Sequence, residues 1–469
     1  MSFSHIFPIA SATFDDPNLI SPTGLVPLMK LAENAGLTDL ARSHVHLPTD
    51  KGANAGVKIF SLVAGMMAGA DSIDDMAMLR HGAMAKVFRR PYAPSTLGSF
   101  LRTFTFGHVR QLDAMASRLL INLSTCTPVL GSPADTGTVF VDVDDTIVEV
   151  HGHAKQGASF GYTGVRGLNA LVGTITSAAF APVIGGVRLR QGAAGSSRGA
   201  KRLVADLLTL IRRTHLAGRH IVVRGDAAFY SQELVAACLK AGADVSITVR
   251  MDPAIKRAIA SIQEDTWEGI EYPNAIFDEA AGVWVSNAEV AEVPYTAFTS
   301  KPEAKRVQGR LVVRRIPELN PKKQAGLDPL FDLWRYHAFF TTASKEDFDT
   351  VAADKAHRAH AVIENVHADL KNSALAHMPS GRFDANAAWT LLATIAFNLT
   401  RAAATLTGDD HLSRATTGTI RRTLVSVPAR VASRARRLHL HLPTHWPWQK
   451  AWERLYAAVF NLTTRPAPT

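Results

Sequence analysis

The stretch Val139-Phe-Val-Asp-Val-Asp-Asp-Thr-Ile147 decides the fold of this chain. Its β-branched and aromatic residues predict a strand, although three acidic residues interrupt it and acids are depleted in strands. Because strand side chains alternate between two faces, Asp142 and Asp144 share one face and Asp145 points to the other. An apolar strand that carries three carboxylates requires cations or hydrogen-bond donors beside it.

Two more acidic residues lie far from this strand in the sequence. Asp226 ends the apolar run Ile221-Val-Val-Arg-Gly-Asp226. Glu364 lies in the helical segment 357–371, on one stripe with His367 and Lys371. Each acid alone is typical of a strand end or a helix surface. Together, two Asp at strand ends and one Glu on a helix can hold two divalent metal ions, and such a site cuts and joins phosphodiester bonds.

The pattern of hydrophobic residues predicts the order of elements around these acids. From Gly137 the period changes from helical to β-rich, and short loops rich in Gly and Ala favour three antiparallel strands. The predicted elements are strands 138–150, 170–176 and 182–190, helix 198–216, strand 220–224, helix 231–241 and strand 244–250. The order βββαβαβ, followed later by the helix with Glu364, predicts a mixed α+β fold with a ribonuclease-H-like core.

Positive charge is concentrated near the C-terminus. The formal net charge is +10, but residues 411–469 contain ten Lys and Arg against one acid, whereas the first 410 residues are close to neutral. An excess of arginine with interleaved apolar residues predicts contact with a nucleic-acid backbone. The arginines that we expect to contact DNA are Arg421, Arg422, Arg430, Arg434, Arg436 and Arg437. A solvated, solubilising tail is the alternative.

Changes in composition divide the chain into four parts. The predicted parts are a helical N-terminal region for DNA binding or dimerisation (1–130), a catalytic core (131–260 and 345–405), a β-rich insertion in that core (261–344) and a basic C-terminal DNA-binding module (406–469).

Other features of composition exclude several classes. The 469 residues are 47% hydrophobic, which predicts a large core and excludes global disorder. Cys126 and Cys238 are far apart and lack metal-ligand spacing, which argues against a disulfide framework or a zinc site and fits a reducing cytoplasm. The N-terminus lacks a signal-peptide pattern. The apolar segment 385–400 is shorter than the roughly 20 residues of a membrane-spanning helix, so it predicts a buried core helix and no membrane association.

The acidic strand also matches a different motif. In haloacid-dehalogenase-like phosphatases, an Asp-x-Asp-x-Thr loop would make Asp142 the nucleophile, Asp144 the acid/base and Thr146 a phosphate contact. Those enzymes begin a parallel sheet at this motif, whereas here strands follow without a crossover helix. They also need a later pair of Asp, and the segment 225–230 offers one. The phosphatase is therefore kept as an alternative functional hypothesis.

Seven segments together resemble the IS1380 family of bacterial insertion-sequence transposases of the DDE type. They are PNLISPTGL (17–25), KQGASFGYT (155–163), RGDAAFYS (224–231), ENVHADLK (364–371), HMPSGRF (377–383), VPAR (427–430) and HLPTHWPW (441–448). No single segment is specific, but the set is, and it covers nearly the whole chain.

This resemblance implies a metal-binding triad of Asp144, Asp226 and Glu364 that holds two Mg²⁺ or Mn²⁺ ions, with Asp142 as a supporting neighbour. It also implies cut-and-paste transposition, in which a homodimer acts as an endonuclease on double-stranded DNA at the terminal inverted repeats and then joins the ends to target DNA. Such a protein works in the bacterial cytoplasm, at the nucleoid.

The helix of Glu364 departs from the pattern of similar enzymes. They carry Tyr-x2-Arg-x3-Glu-x6-Lys, and here Lys371 matches, but His357 stands at the Tyr position and His360 at the Arg position. Because Arg grips phosphate with two donors and His does not, we expect Lys371 and either Arg358 or His360 to contact DNA. A DNA-binding relative with impaired catalysis is the alternative.

Three tryptophans of the insertion are candidates for stacking on an extruded base, because in similar enzymes this insertion clamps DNA ends and a DNA hairpin intermediate. They are Trp267, Trp284 and Trp334. Packing within the protein is the alternative for each.

Overall fold

The structure of the protein is a computed structural model that describes residues 11–48, 50–89, 91–152, 154–161, 163–278, 283–317 and 334–461. The side chains of 272–286 are not described. Trp284, one of the predicted base-stacking residues, therefore lies outside the described side chains. The fold is mixed α+β, with two sheets and a layer of helices.

The helices, in chain order, are α1 (Leu25–Asn34), α2 (Leu37–His44), α3 (Ala55–Ala68), α4 (Met84–Val87), α5 (Pro94–Leu101), α6 (Phe106–Cys126), α7 (Ala200–Ile211), α8 (Gln232–Lys240), α9 (Pro253–Ala260), α10 (Thr350–Arg358), α11 (Val362–Lys371), α12 (Phe383–Thr405), α13 (Asp410–Arg414), α14 (Thr417–Ile420) and α15 (Gln449–Asn461). The strands are β1 (Leu19–Ile20), β2 (Val139–Glu149), β3 (Ser159–Phe160), β4 (Arg166–Thr176), β5 (Val183–Gln191), β6 (Ile221–Gly225), β7 (Asp244–Thr248), β8 (Glu268–Asp278), β9 (Val283–Ala297), β10 (Val307–Pro317), β11 (Trp334–Thr341), β12 (Ala429–Arg434) and β13 (Arg437–His441).

A ten-stranded sheet forms the centre of the fold, in the order β3-β4-β2-β6-β7-β11-β10-β9-β8, with β5 also paired to β4. β2, β4 and β5 are antiparallel neighbours, as the sequence predicts. β2, β6 and β7 run parallel, and α8 makes the crossover from β6 to β7. The carboxyl ends of β2 and β6 therefore lie at the same edge of the sheet.

The strands of the 261–344 stretch extend this same sheet. β8, β9, β10 and β11 are consecutive antiparallel neighbours. β11 joins them to the centre by pairing with β7, from Phe339 opposite Thr248 to Thr341 opposite Ser246. The β-rich segment predicted from the sequence is thus continuous with the central strands.

Helix α12 is the middle of the helical layer, and every residue from 385 to 404 is buried. Two asparagines inside it bond reciprocally to backbone groups. Asn398 accepts from the Ile184 N–H at 2.9 Å and donates to the Ile184 carbonyl at 2.8 Å, and Asn386 does the same with Ser380. These bonds satisfy buried polar groups and fix the helix against β5. No helix within the described residues is long and apolar enough to cross a membrane.

The first and last parts of the chain pack together. β1 pairs with β12, and β12 with β13, in a small antiparallel sheet. Helix α1 packs against α15, where Asn34 donates to the Val459 carbonyl at 2.8 Å. Helix α3 packs against α12. The N-terminal helices and the basic C-terminal segment therefore form one packed unit around α12.

Candidate active site

Asp144 and Asp226 lie side by side at one edge of the sheet. Strands β2 and β6 pair in parallel up to Val143 and Gly225. Asp144 is the next residue of β2, and Asp226 directly follows the end of β6. Asp226 is exposed and accepts a hydrogen bond from the Ala228 N–H at 2.9 Å. Its charge is close enough to Asp144 to help raise the pKa of that carboxyl. The convergence predicted from the two separate runs is therefore present in the structure.

The three acids of β2 have different partners. Asp142 is fully buried, and both its oxygens accept hydrogen bonds from Arg224, at 2.7 and 2.8 Å. Asp145 is buried on the other face and pairs with Arg190 at 3.1 Å. Asp144 has no Arg or Lys partner among the residues that the structure describes. Two of the three charges are thus neutralised by cations of the chain, and the third is not.

The electrostatics of Asp144 reflect this difference. Burial raises the pKa of its carboxyl to about 6, against the opposing effects of the Asp145 backbone N–H and of His360, and Asp226 raises it further. The Asp145 N–H donates to Asp144 at 2.7 Å. A cation beside the carboxyl favours its ionised form and offsets the cost of burial. Asp144 is therefore a group that a bound cation would stabilise.

Helix α11 packs over β2 and carries Glu364 to this edge. In the turn before the helix, His360 Nδ1 donates to Asp142 Oδ1 at 2.9 Å. One turn after Glu364, His367 Nδ1 lies 3.7 Å from Asp144 Oδ2. His367 Nε2 is buried and has no hydrogen-bond partner among the described residues. Glu364 lies between these two histidines in the sequence, and its side chain is exposed. The structure thus places the helix of Glu364 over the strand of Asp144, with the histidines on either side of Glu364 next to Asp142 and Asp144.

The chemistry of the three acids fits a divalent cation, although their ligand atoms do not already form a closely spaced group. All their ligand atoms are carboxylate oxygens, which Mg²⁺ prefers. Among the described residues, the one group of three His, Cys, Asp or Glu whose ligand atoms all lie within 4.8 Å is a different one: His220, Asp244 and Asp347.

This second group lies at the opposite edge of the sheet. His220 precedes β6 and Asp244 begins β7, so both are at the amino ends of the parallel strands. Both oxygens of Asp244 already accept hydrogen bonds, one from His220 and one from Thr342. The group therefore lies at the opposite end of the parallel strands from Asp144 and Asp226, which follow the carboxyl ends of the paired segments.

His357, at the position where similar enzymes have Tyr, is part of the core. Its ring stacks on Phe339 with centroids 4.0 Å apart. Its two nitrogens lie 2.9 Å from Ser246 Oγ and 3.0 Å from Thr248 Oγ1. Burial, followed by the nearby positive groups, lowers the pKa of His357 to about 3. The histidine is thus a neutral, aromatic packing residue, which is a role that Tyr can also fill.

Replacing His357 by Phe is expected to remove a pH-dependent part of the stability. The unfolded-state pKa of His is about 6.5 and the folded-state pKa is lower, so only the unfolded chain gains the proton as pH falls below 6.5. This contribution to stability is fully present above pH 6.5 and is lost toward pH 3. Between pH 7.0 and 5.5, wild type should lose about 1 kcal/mol more unfolding free energy than the variant in urea titrations.

Substitution of the exposed His411 by Phe is the control for this measurement, because it removes a histidine that the fold does not bury. That variant should follow the wild-type pH dependence. Identical pH dependence of wild type and His357→Phe would contradict the buried, neutral state of His357.

The two basic residues predicted near Glu364 are in different surroundings. Arg358 is bound to Asp354, with Nε 2.7 Å from Oδ2 in an i,i+4 pair on α10. Lys371 is the last residue of α11 and is exposed. His360, as described above, is held by Asp142. Lys371 is therefore the most accessible of the three predicted phosphate contacts.

Two of the predicted base-stacking residues pack on one arginine. The guanidinium of Arg315 lies between the rings of Trp267 and Trp334, 4.2 and 4.3 Å from their centroids. Arg315 is nearly buried and also bonds Glu264 and Glu289. This arrangement links β9, β10, β11 and the residue before β8. It favours the alternative of packing within the protein for both rings.

The six arginines predicted to contact DNA all follow α14. Arg421 is half-buried, whereas Arg422, Arg430, Arg434, Arg436 and Arg437 are exposed. Arg430 lies 3.7 Å from Asp16. The last four belong to the β12–β13 hairpin or its turn. Their exposure leaves this segment open to an anionic partner.

Sequence reasoning missed the cations that distinguish the acids of β2. Arg224 stands two residues before Asp226 and lies directly opposite Asp142 in the parallel pair, so its position could have been noticed. Arg190 comes from the predicted third strand, on the far side of β4. His367 was recognised on the helix stripe but given no role. Only the register of the sheet assigns each cation to its acid.

Comparison with known protein families gives a match over nearly the whole chain. A family model described as "Transposase DDE domain group 1" matches residues 9–464. No curated protein matches the chain. Among solved structures, the cryo-EM structure of the piggyBac transposase synaptic complex with hairpin DNA is similar, with 10% identity and a TM-score of 0.41 over 87% of this chain and 80% of that chain.

Proposed function

Because this chain belongs to the DDE transposase family, we propose that it cuts DNA at the terminal inverted repeats of an IS1380-type insertion sequence and joins the freed ends to target DNA. The observation that carries this proposal is the half-buried carboxyl of Asp144, which lies beside Asp226 and under the helix that carries Glu364 and has no Arg or Lys partner among the described residues. Membership of the family does not by itself identify the metal-binding residues. We assign them from the sequence motifs quoted above.

The proposed catalytic core is ribonuclease-H-like. It is supported by three antiparallel strands, β2, β4 and β5, followed by the parallel strands β6 and β7 and by α11 over the sheet. In this proposal the core comprises 131–260 and 345–405, and 261–344 is an insertion in it. The segments 1–130 and 406–469 bind DNA or the second subunit of a homodimer.

Asp144, Asp226 and Glu364 are the proposed ligands of two Mg²⁺ or Mn²⁺ ions. When bound, such ions activate the attacking oxygen and stabilise the leaving oxygen of a phosphodiester. Side chains of the protein position these ligands. The Arg224–Asp142 pair fixes His360 at the start of the helix, and the packing of α11 on β2 holds His367 against Asp144.

The DNA contacts are proposed from charge and exposure. Lys371 lies two turns beyond Glu364 and can reach a phosphate next to the site of cleavage. The exposed arginines of 421–437 extend the contact along the duplex. Trp267 and Trp334 are assigned to packing around Arg315. Since its substrate is bacterial DNA, the protein would act in the cytoplasm, at the nucleoid.

The experiment that tests this function is a cleavage assay on DNA that carries the two ends of the element, taken from the sequence that flanks the gene. We expect cleavage at the element boundary with Mg²⁺ or Mn²⁺ and none with EDTA. Retained DNA binding without cleavage in either metal would favour the impaired relative. Hydrolysis of a small phosphoester that Asp142→Asn abolishes and Glu364→Gln does not would favour the phosphatase, which the burial of Asp142 argues against.

A further inference from the structure

The hairpin formed by β12 and β13 has two chemically different faces. Its register places Arg430 opposite His441, Ala432 opposite His439 and Arg434 opposite Arg437. Because directly opposite residues of an antiparallel pair share a face, these six side chains lie together. Arg430 and His441 stand at one end of this face and the Arg434–Arg437 pair at the other, and apart from the small Ala432 all of these residues are Arg or His. We call residues 429–441 the basic ribbon.

The other face of the basic ribbon anchors it to the protein. Val431 is buried, and its cross-strand neighbour Leu440 packs against the core. β12 also pairs with β1 at its first residues. Farther along, Ser433 and Leu438 are exposed. The ribbon is thus held at its base, while its far end projects from the molecule.

The far end of the basic ribbon carries unfavourable features. Ala435 and Arg436 form a two-residue turn with φ of 50° and 63°, which is the left-handed region that non-glycine residues avoid. The turn also sets Arg434 directly opposite Arg437, and like charges in that position destabilise a pair. No described acidic residue forms an ion pair with Arg434, Arg436 or Arg437. Strain and repulsion that persist together indicate a partner that uses them.

We propose that the basic ribbon inserts its Arg/His face into the major groove of duplex DNA. The major groove admits a two-stranded ribbon, and three uncompensated arginines at a projecting tip meet the phosphates that border it. The inference rests on the proposed function for its choice of DNA as the partner. It adds which element enters the duplex and by which face.

The test compares a variant with Arg434→Gln, Arg436→Gln and Arg437→Gln against wild type, using a 40-bp duplex of arbitrary sequence and fluorescence anisotropy over a series of salt concentrations. Each lost phosphate contact reduces the slope of log affinity against log salt by about 0.9. We expect the slope to fall by about 2 to 3 and the affinity at low salt to fall about 100-fold. All three positions are exposed, so the variant should keep the wild-type circular dichroism and unfolding midpoint.

A matched control removes the same charge elsewhere, with Arg42→Gln, Arg202→Gln and Arg213→Gln, which are also exposed. Its slope should change by less than about 1. Equal slopes for the ribbon variant and this control would overturn the inference, because net charge alone would then explain the binding.

A second probe tests the groove. In a duplex whose cytosines carry glucosylated hydroxymethyl groups, the major groove is filled, so wild type should bind it no more tightly than the ribbon variant does. A wild-type advantage that survives on this duplex, or that is equally large on a single strand of the same sequence, would overturn docking in the major groove. Failure of the proposed function would be seen in a different measurement. Wild type would then not cleave element-end DNA in the presence of metal, regardless of how tightly the ribbon variant binds DNA.

Discussion

Asp226→Asn is expected to lower metal-dependent DNA cleavage by about 10²- to 10⁴-fold and to leave the fold intact. Loss of a metal ligand removes several kcal/mol of transition-state stabilisation, and each 1.4 kcal/mol is about tenfold in rate. Asp226 is exposed, and an Asn side chain keeps an oxygen to accept the hydrogen bond from the Ala228 N–H. The variant therefore isolates the charge of the carboxylate from its structural contact.

The same loss is expected for Asp144→Asn and Glu364→Gln. Because residues that act as one unit are not additive, a double variant should cleave about as slowly as either single one. Binding of Mn²⁺, followed by electron paramagnetic resonance, should weaken in each variant. This second measurement separates a lost ligand from a lost DNA contact, since DNA affinity without metal should stay near the wild-type value.

The matched control is Glu233→Gln, which removes an exposed carboxylate from the first turn of α8. It should cleave at the wild-type rate. If Asp226→Asn or Glu364→Gln cleaved as fast as Glu233→Gln, the assignment of the metal-binding residues would be wrong, although the family of the chain would not change.

Arg224→Met is expected to destabilise the protein by about 3–5 kcal/mol. Arg224 is 1% exposed and Asp142 is fully buried, so the substitution leaves a buried carboxylate without its cation. It also removes a hydrogen bond to the Ala356 carbonyl and a contact with the Phe140 ring, 4.1 Å from the guanidinium. Urea unfolding at pH 7 measures the change.

A second substitution separates the effect of losing the Arg224–Asp142 ion pair from the effect of losing the Arg224 side chain. In the double variant Arg224→Met with Asp142→Leu, no charge is left buried, so a large part of the stability should return. Arg202→Met breaks an exposed pair with Asp206 and should change stability by less than about 0.5 kcal/mol. A cost below about 1 kcal/mol for Arg224→Met would contradict the dependence of the buried Asp142 carboxylate on Arg224.

Much of the fold could be predicted because it depends on local patterns. The change to a period of two after Gly137 predicts the long strand β2, and the runs ending at Thr176 and near Arg190 predict the two strands that follow. Ser231 supplies the side-chain cap of α8, accepting from the Leu234 N–H, as a boundary residue of that type should. The segment 385–400 lies within a fully buried helix, as its composition predicts.

The pairing of distant strands could not be predicted in the same way. Whether β11 joins β7, or β1 joins β12, depends on contacts between residues separated by about a hundred positions or by several hundred. A hydrophobic period specifies which face of a strand is buried and leaves its neighbour open. Hence the sequence predicted a β-rich insertion but not that its strands continue the central sheet.

In the candidate site, too, local sequence patterns and tertiary contacts determine different features. By itself, the sequence predicted which residues can carry the chemistry, because carboxylates in apolar strands and a carboxylate on a histidine-rich helix stripe are unusual wherever they occur. The strand pattern put Asp142 and Asp144 on one face, and the family resemblance implied Asp144 as the metal ligand with Asp142 as a supporting neighbour. Only the tertiary structure showed how their surroundings differ. The parallel register of β2 and β6 sets Arg224 against Asp142, whereas Asp144, one residue beyond the last paired residues and next to Asp226, has no Arg or Lys partner among the described residues. The physical reason is that compensation of a buried charge depends on distances of a few ångströms between strands, which no local pattern specifies.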